Sequence, residues 1–285
     1  MERMKIMIGY DGSQGAESVL ADLQRAGLPP DTEVLVISVA EEWIPTPIGK
    51  DEKEATAQAD YAKSFITTIF PKWQVHAEAA SGSPANILIR KAEEWNPEMI
   101  VVGSQGRTAL GRFFFGSVSQ KVLYGASCSV RIARGEKKGA DEPVRIIAGV
   151  DGSKGAESAV AAISTRCWPR GTEARVVVAI DYMPRISTEL VAHELKEWIA
   201  SENARVKDDV DSAVSEFRGI GLNVSAVVKE GDAKKLLCAE ADDWGADCIF
   251  VGARGMGTIE RMLMGSVSSS VASRAHCSVE VIRLK

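Results

Sequence analysis

The residues best suited to chemistry form a glycine-serine pattern that occurs twice. Gly103 and Gly106 are followed by Gly116-Ser117-Val118-Ser119, and Gly252 and Gly255 by Gly265-Ser266-Val267-Ser268, with nine residues between the second and third glycines each time. Glycine lets a backbone approach a bulky anion and adopt positive φ. A Gly-Ser start to a helix turns free amides, hydroxyls and the positive end of the helix dipole toward one place. The chemistry so described is recognition of a phosphate, although familiar phosphate loops do not fit. The stretch GARGMG at 252–257 reads G-x-x-G-x-G where a dinucleotide fingerprint needs G-x-G-x-x-G. The Gly49-Lys50 pair has Ile44 where an NTPase loop has its first glycine. Ser117 and Ser266 could also simply cap the helix with their hydroxyls; identical spacing in both places weighs toward a ligand.

A second pattern accompanies the first. DGSQGAES at 11–18 returns as DGSKGAES at 151–158. Asp11 and Asp151 can serve as turn or cap residues, or as acceptors for an exocyclic amine such as that of adenine. Beside phosphates a carboxylate would repel, so these two belong at a base or ribose. Arg107 and Arg254 are the nearby cations that could screen phosphate charge, or they could be solvated.

These motifs sit in a duplicated chain, and duplication is settled before fold. Residues 103–134 align without a gap to 252–283, and the offset grows from 140 at the Asp-Gly-Ser motifs to 149 here, so the later copy carries nine more residues in its middle. The expected units are 1–137 and 143–285, joined by a polar linker at 135–143. In the first unit, Ile- and Val-rich runs at 5–10, 34–40, 74–80, 99–103 and 129–133 alternate with helical periodicity at 14–26, 53–70, 84–95 and 118–124. The second repeats the runs at 144–150, 174–180, 224–229, 248–252 and 279–283, with a long helical stretch near 188–218. Alternating strands and helices predict an α/β fold, a doubly wound parallel sheet per repeat with both faces covered. Ligands of such sheets sit outside the strand C-termini, where the winding reverses. For the Asp after strand one and the glycines after strand four to share a ligand, those strands must be neighbours, which predicts the order 3-2-1-4-5.

At this point the sequence resembles the universal stress protein family in tandem form. Nucleotide-binding members carry G-x-x-G, nine residues, then G-[S/T] after strand four, and both copies satisfy it. The resemblance implies a Rossmann-like sheet of the order above and adenine nucleotide binding, ATP foremost, with Mg²⁺ carried on the phosphates. It puts Asp11 and Asp151 at the adenine, with backbone at Val39 and Ala179 closing the other side of the base. Gly103, Gly106, Gly116, Ser117 and Ser119 would line ribose and phosphates in one site, and Gly252, Gly255, Gly265, Ser266 and Ser268 in the other. It also implies that the copies pair through their last strands, Ser129–Ala133 against Val279–Arg283, leaving room for a homodimer of whole chains and for a regulatory protein partner. Cys128-Ser129 and Cys277-Ser278 replace the Cys-Pro frequent in the family.

Bulk properties exclude several classes. A net charge of -5 offers no footprint for nucleic acid or an anionic membrane. No apolar run reaches the roughly 18 residues of a membrane span, and MERMKIMIGYDGS turns polar too early for a signal peptide, so a cytoplasmic protein is expected. Five cysteines without C-x-x-C spacing fit reduced thiols, and three scattered histidines suggest no metal cluster. Phe113-Phe114-Phe115, matched by Met262-Leu263-Met264, reads as buried beneath the loop or between copies rather than as a partner surface. Three functions follow: a regulatory ATP-binding protein of stress responses; a slow ATP hydrolase or nucleotide-transfer enzyme on the same sheet; or a scaffold that lost one site. Catalysis needs a positioned base and a phosphate-charge stabiliser, and neither glycine loop carries a Lys, His or Glu shared by both copies, so the first reading leads.

Overall fold

The computed structural model describes residues 3–41, 50–106, 115–134, 139, 142–180, 189–255 and 264–284, with side chains described outside 50–51 and 189–203. The first repeat runs β1 (Lys5–Gly9), α1 (Gln14–Leu23), β2 (Glu33–Ala40), α2 (Lys50–Ile69), β3 (Gln74–Ser81), α3 (Pro84–Trp95), β4 (Met99–Gly103), α4 (Ser117–Gly125) and β5 (Ser129–Ala133). The second runs β6 (Arg145–Gly149), α5 (Lys154–Ser164), β7 (Glu173–Ile180), α6 (Glu189–Gly219), β8 (Asn223–Glu230), α7 (Ala233–Trp244), β9 (Cys248–Gly252), α8 (Ser266–Arg274) and β10 (Ser278–Ile282). Boundaries differ from the sequence expectation by a residue or a few: β10 starts and stops one residue earlier, and α4 gains one at each end. The nine extra residues of the second repeat lie between β7 and β8, where α6 has 31 residues against 20 in α2. Most of the 135–143 linker lies outside the described residues. Gly139, Glu142 and Pro143 each give a carbonyl to the Arg25 guanidinium.

The predicted strand order is present, and the repeats share one sheet. Its order is β3-β2-β1-β4-β5-β10-β9-β6-β7-β8: 3-2-1-4-5 followed by the same order reversed. All pairs are parallel except β5 with β10, which run antiparallel with Val279 opposite Ile132 and Glu280 opposite Arg131. Central strands are buried on both faces, as the continuous runs Ile6-Met7-Ile8 and Met99-Ile100-Val101-Val102 require. The outer strands β3 and β8 are largely half-buried or exposed. Among the described residues no helix is long and apolar enough to cross a membrane.

The two faces of the sheet are built differently. On one, α3, α4, α7 and α8 cover a single apolar core that runs across both repeats, joining Leu88, Val122 and Ile132 to Leu237, Val271 and Val279. On the other, α1 and α2 cover one core and α5 and α6 another. Where those two would meet, the registered pair Arg131 and Glu280 is buried instead. The Arg131 guanidinium donates to Asp22 Oδ2 at 2.6 Å, to Asp22 Oδ1 at 3.0 Å and to Glu280 Oε2 at 2.8 Å. Arg166 closes on the other Glu280 oxygen, Ser278 donates to Asp22, and Arg25 pairs with Asp247 at 2.9 Å. Burial, the largest single effect, opposes the charge of Arg131, but the groups around it, Asp22 first and then Cys248 and Glu280, together hold the guanidinium protonated well above its usual range.

Removing one partner of such a network strands the others in a dry interior. Arg131→Met is therefore expected to lower the unfolding free energy by about 3–5 kcal/mol, read from urea denaturation at neutral pH; an unchanged midpoint would show that the network carries no net stabilisation.

Candidate functional site

Because β1 and β4 are neighbours, with Ile8 paired to Val101, the segments that follow them emerge side by side; β6 and β9 repeat this with Ala148 paired to Phe250. The Asp-Gly-Ser turn after β1 makes the local geometry. Asp11 Oδ1 accepts from the Ser13 amide at 3.0 Å, Gly12 supplies a φ of 71°, and Ser13 caps α1 by accepting from the Ala16 amide at 3.2 Å. The second repeat does the same through Asp151, Gly152 (φ 72°) and Ser153. The turn role leaves Asp11 Oδ2 facing Gly106, where an added Cβ would lie 3.3 Å from it. The turn reading of this residue is met, and the cap of the helix is Ser13 rather than Asp11.

The glycines act otherwise than expected. Gly103, Gly106, Gly252 and Gly255 do not have positive φ, and the close neighbour of Gly103 is the start of α1. A Cβ on Gly103 would stand 2.4 Å from the Gly15 carbonyl oxygen, and one on Gly15 would stand 1.9 Å from that of Gln105. Gly252 and Gly155 meet in the same way, at 2.3 Å and 2.2 Å from their nearest backbone atoms. Bare backbone against bare backbone brings the β4 loop onto the α1 N-terminus, and Ser153 Oγ adds a donation to the Arg254 carbonyl at 3.3 Å.

The start of α4 completes the site. Gly116 is its N-cap and supplies no side-chain cap, and its own amide donates to Ser104 O at 2.8 Å; Gly265 does likewise to Ala253 O at 2.7 Å. Ser117 and Ser266 are the first helical residues and are exposed, so they do not cap the helix. The hydroxyls of Ser119 and Ser268 are committed to structure, donating to Gly103 O and Gly252 O at 2.5 Å. The first-turn amides, which have no intrahelical acceptor, rim the cavity beside Ser117 and Val118.

That cavity, about 850 Å³ in the first repeat, has an apolar slot made by Ile37, Val39, Leu88 and Val102 and a polar mouth made by Asp11, Gln105, Gly106, Ser117 and Lys121. The second repeat has a cavity of about 140 Å³ with Val177, Ala179, Leu237 and Val251 in the slot and Asp151, Arg254, Gly255, Ser266, Val267 and Ser268 around it. The structure therefore brings the predicted residues of each copy together. Arg107 lies outside the described residues, as do Phe113, Phe114, Met262 and Leu263; Phe115 and Met264 line or border the core. Sequence reasoning passed over Leu88 and Leu237, and over Lys121, which is not shared by both copies because the second has Ser270 there. Tyr10 was missed for the same reason: Val150 replaces it, and the Tyr10 hydroxyl, raised by burial and by the Glu17 carboxylate it donates to, belongs to the first site alone.

The family model for the universal stress protein family matches residues 2–134 and again 144–283. The chain belongs to this family. Its two repeats place it with tandem relatives. It is 26% identical over 303 residues to the universal stress protein Rv2005c of Mycobacterium tuberculosis, covering 98% of this chain and 96% of that one. A Mycolicibacterium smegmatis universal stress protein is 26% identical over 300 residues, with the same coverage. Among solved structures, a universal stress protein from Archaeoglobus fulgidus aligns with TM-score 0.63 and 22% identity over 98% of this chain and 96% of its own. One from Pseudomonas aeruginosa aligns with TM-score 0.68 and 15% identity over 98% and 93%, a likeness of fold.

The backbone contact behind the site is testable. Gly103→Ala and Gly252→Ala are each expected to cost about 1–3 kcal/mol or more by forcing two backbones apart, whereas Gly106→Ala, facing only the Asp11 carboxylate, should cost under about 1 kcal/mol; chemical denaturation of the three variants separates packing glycines from lining ones.

Proposed function

We propose that this universal stress protein is a regulatory adenine-nucleotide-binding protein, ATP being the preferred ligand, with one candidate site per repeat. The observation that carries the reading is the convergence, at the C-terminal ends of β1 and β4, of an apolar slot, a carboxylate and an uncapped helix start. Each answers one part of a nucleotide. A planar base suits the slot between the Val39 backbone and Leu88, and the Asp11 carboxylate can accept from its exocyclic amine. The phosphates suit the amides of Ser117, Val118 and Ser119, where the dipole favours an anion, and Lys121 lies on the same helix one turn on. The first cavity, about 850 Å³, falls within the range of small-ligand sites, about 300–1,000 Å³, and the second, about 140 Å³, falls below it.

Mg²⁺ would arrive on the phosphates, neutralising charge that the amides and Lys121 share. Asp11 is engaged at the turn by the Ser13 amide, which suits it to holding a base rather than to moving a proton.

Two measurements test this. Protein purified and denatured should release adenine nucleotide, identified and counted by chromatography. Adding ATP and Mg²⁺ to nucleotide-free protein at about a hundred times Kd should stabilise it by about 2.7 kcal/mol, seen as a rise in Tm; no nucleotide released and no rise would refute the reading.

A further inference from the structure

The two repeats, matched by their shared motifs, differ in a way that the side-chain size of the slot does not explain. The second slot is lined by smaller residues than the first: Val177 for Ile37, Ala179 for Val39 and Val150 for Tyr10. Bulk alone would make the second cavity the larger, yet it measures about 140 Å³ against about 850 Å³. The elements around the two turns also approach to different distances. A Cβ on Gly255 would stand 2.5 Å from Asp151 Oδ2, where the Gly106 to Asp11 contact is 3.3 Å, so carboxylate and loop have come together. Above the turn, a Cβ on Gly152 would meet Arg205 Nη1 at 2.2 Å and Asp209 Oδ2 at 2.5 Å, while at Gly12 the nearest atom is Gln58 Nε2 at 3.2 Å. Met264 and Gly265 are buried where Phe115 and Gly116 are partly exposed.

The charges differ as well, although Glu41 lines the first cavity beside Asp11 and Arg254 of the second stands where the first has Gln105. Over the first turn α2 presents Gln58, whose amide donates to Glu54 at 3.1 Å. Over the second α6 presents the Arg205–Asp209 pair at 3.6 Å. Asp209 is pushed up by burial first, with Glu157 and Asp151 adding to it against Arg205, so a second carboxylate stands beside the one meant for the base. At the helix start the first repeat has Gln120 and Lys121, the second Ser269 and Ser270. Arg254 is the cation of the second cavity among the described residues, and it is exposed on the loop.

We infer that the two sites are unequal: the first repeat takes a whole mononucleoside triphosphate, and the second, closed around Asp151, takes it at least tenfold more weakly. This rests on the nucleotide-binding reading above. In such a chain one repeat carries the ligand and the other serves chiefly as its fixed partner across the sheet.

The test uses the full chain freed of nucleotide. Equilibrium dialysis with radiolabelled ATP and Mg²⁺ should reach a first plateau at one ATP per chain, with any further binding at concentrations at least ten times higher. Photolabelling with 8-azido-ATP below one equivalent, followed by peptide mapping, should mark the first repeat. Asp11→Asn keeps the acceptor for the Ser13 amide and should weaken the first plateau at least tenfold with the circular dichroism spectrum unchanged. Two equivalents bound with one affinity, or label in the second repeat, would overturn the inequality while leaving nucleotide binding intact. No binding at any concentration would overturn both.

Discussion

The architecture depends on the pairing of β5 with β10, and that pairing depends on opposite charges at one register position. Antiparallel strands related by a near twofold axis place equivalent residues against each other, and here the equivalent positions hold Arg131 and Glu280. A repeat paired with a copy of itself would set arginine against arginine or glutamate against glutamate in a dry interior, a like-charge contact with a heavy desolvation penalty. Asp22 from one repeat and Arg166 from the other complete the set, so each buried charge has a partner of opposite sign. The seam is specific to unlike repeats, and a duplication diverged here until each half suited the other.

The seam reaches the candidate sites through two helices. Arg283, just beyond β10, donates to the Leu123 carbonyl near the end of α4 at 2.6 Å, and Arg134, just beyond β5, donates to the Ala272 carbonyl in α8 at the same distance. Cations at helix C-termini satisfy orphan carbonyls and complement the dipole. The helices α4 and α8, whose N-termini border the sites, are therefore each held at the C-terminal end by the opposite repeat. A single apolar core beneath all four helices of that face adds to the coupling, so movement of one site's helix start is resisted by residues of both halves.

Much of the fold was legible because its signals are local or duplicated. Continuous Ile and Val runs mark strands buried on both faces, the Asp-Gly-Ser repeats mark the turns before helices, and repetition shows which features belong to the unit. The candidate site was legible for the same reason, in that Asp11 and Gly103 follow neighbouring strands. The search for shared features also had a cost: Tyr10 and Lys121, present in one copy, were filtered out, and these are among the residues that distinguish the first site from the second.

The sequence by itself determined the duplication and the alternation of elements, which follow from repetition and periodicity, and it reached the strand order from the premise that the motifs after strands one and four share a ligand. Tertiary structure decided what the individual residues do there. Positive φ belongs to Gly12 and Gly152 rather than to the loop glycines, because Gly103 is bare to admit Gly15, a residue 88 positions away. The Ser119 hydroxyl, open to a phosphate on paper, donates to Gly103 O. Only the folded chain sets Arg131 against Glu280 and makes two nearly identical motifs enclose cavities of different volume, since both outcomes rest on contacts between residues far apart in sequence.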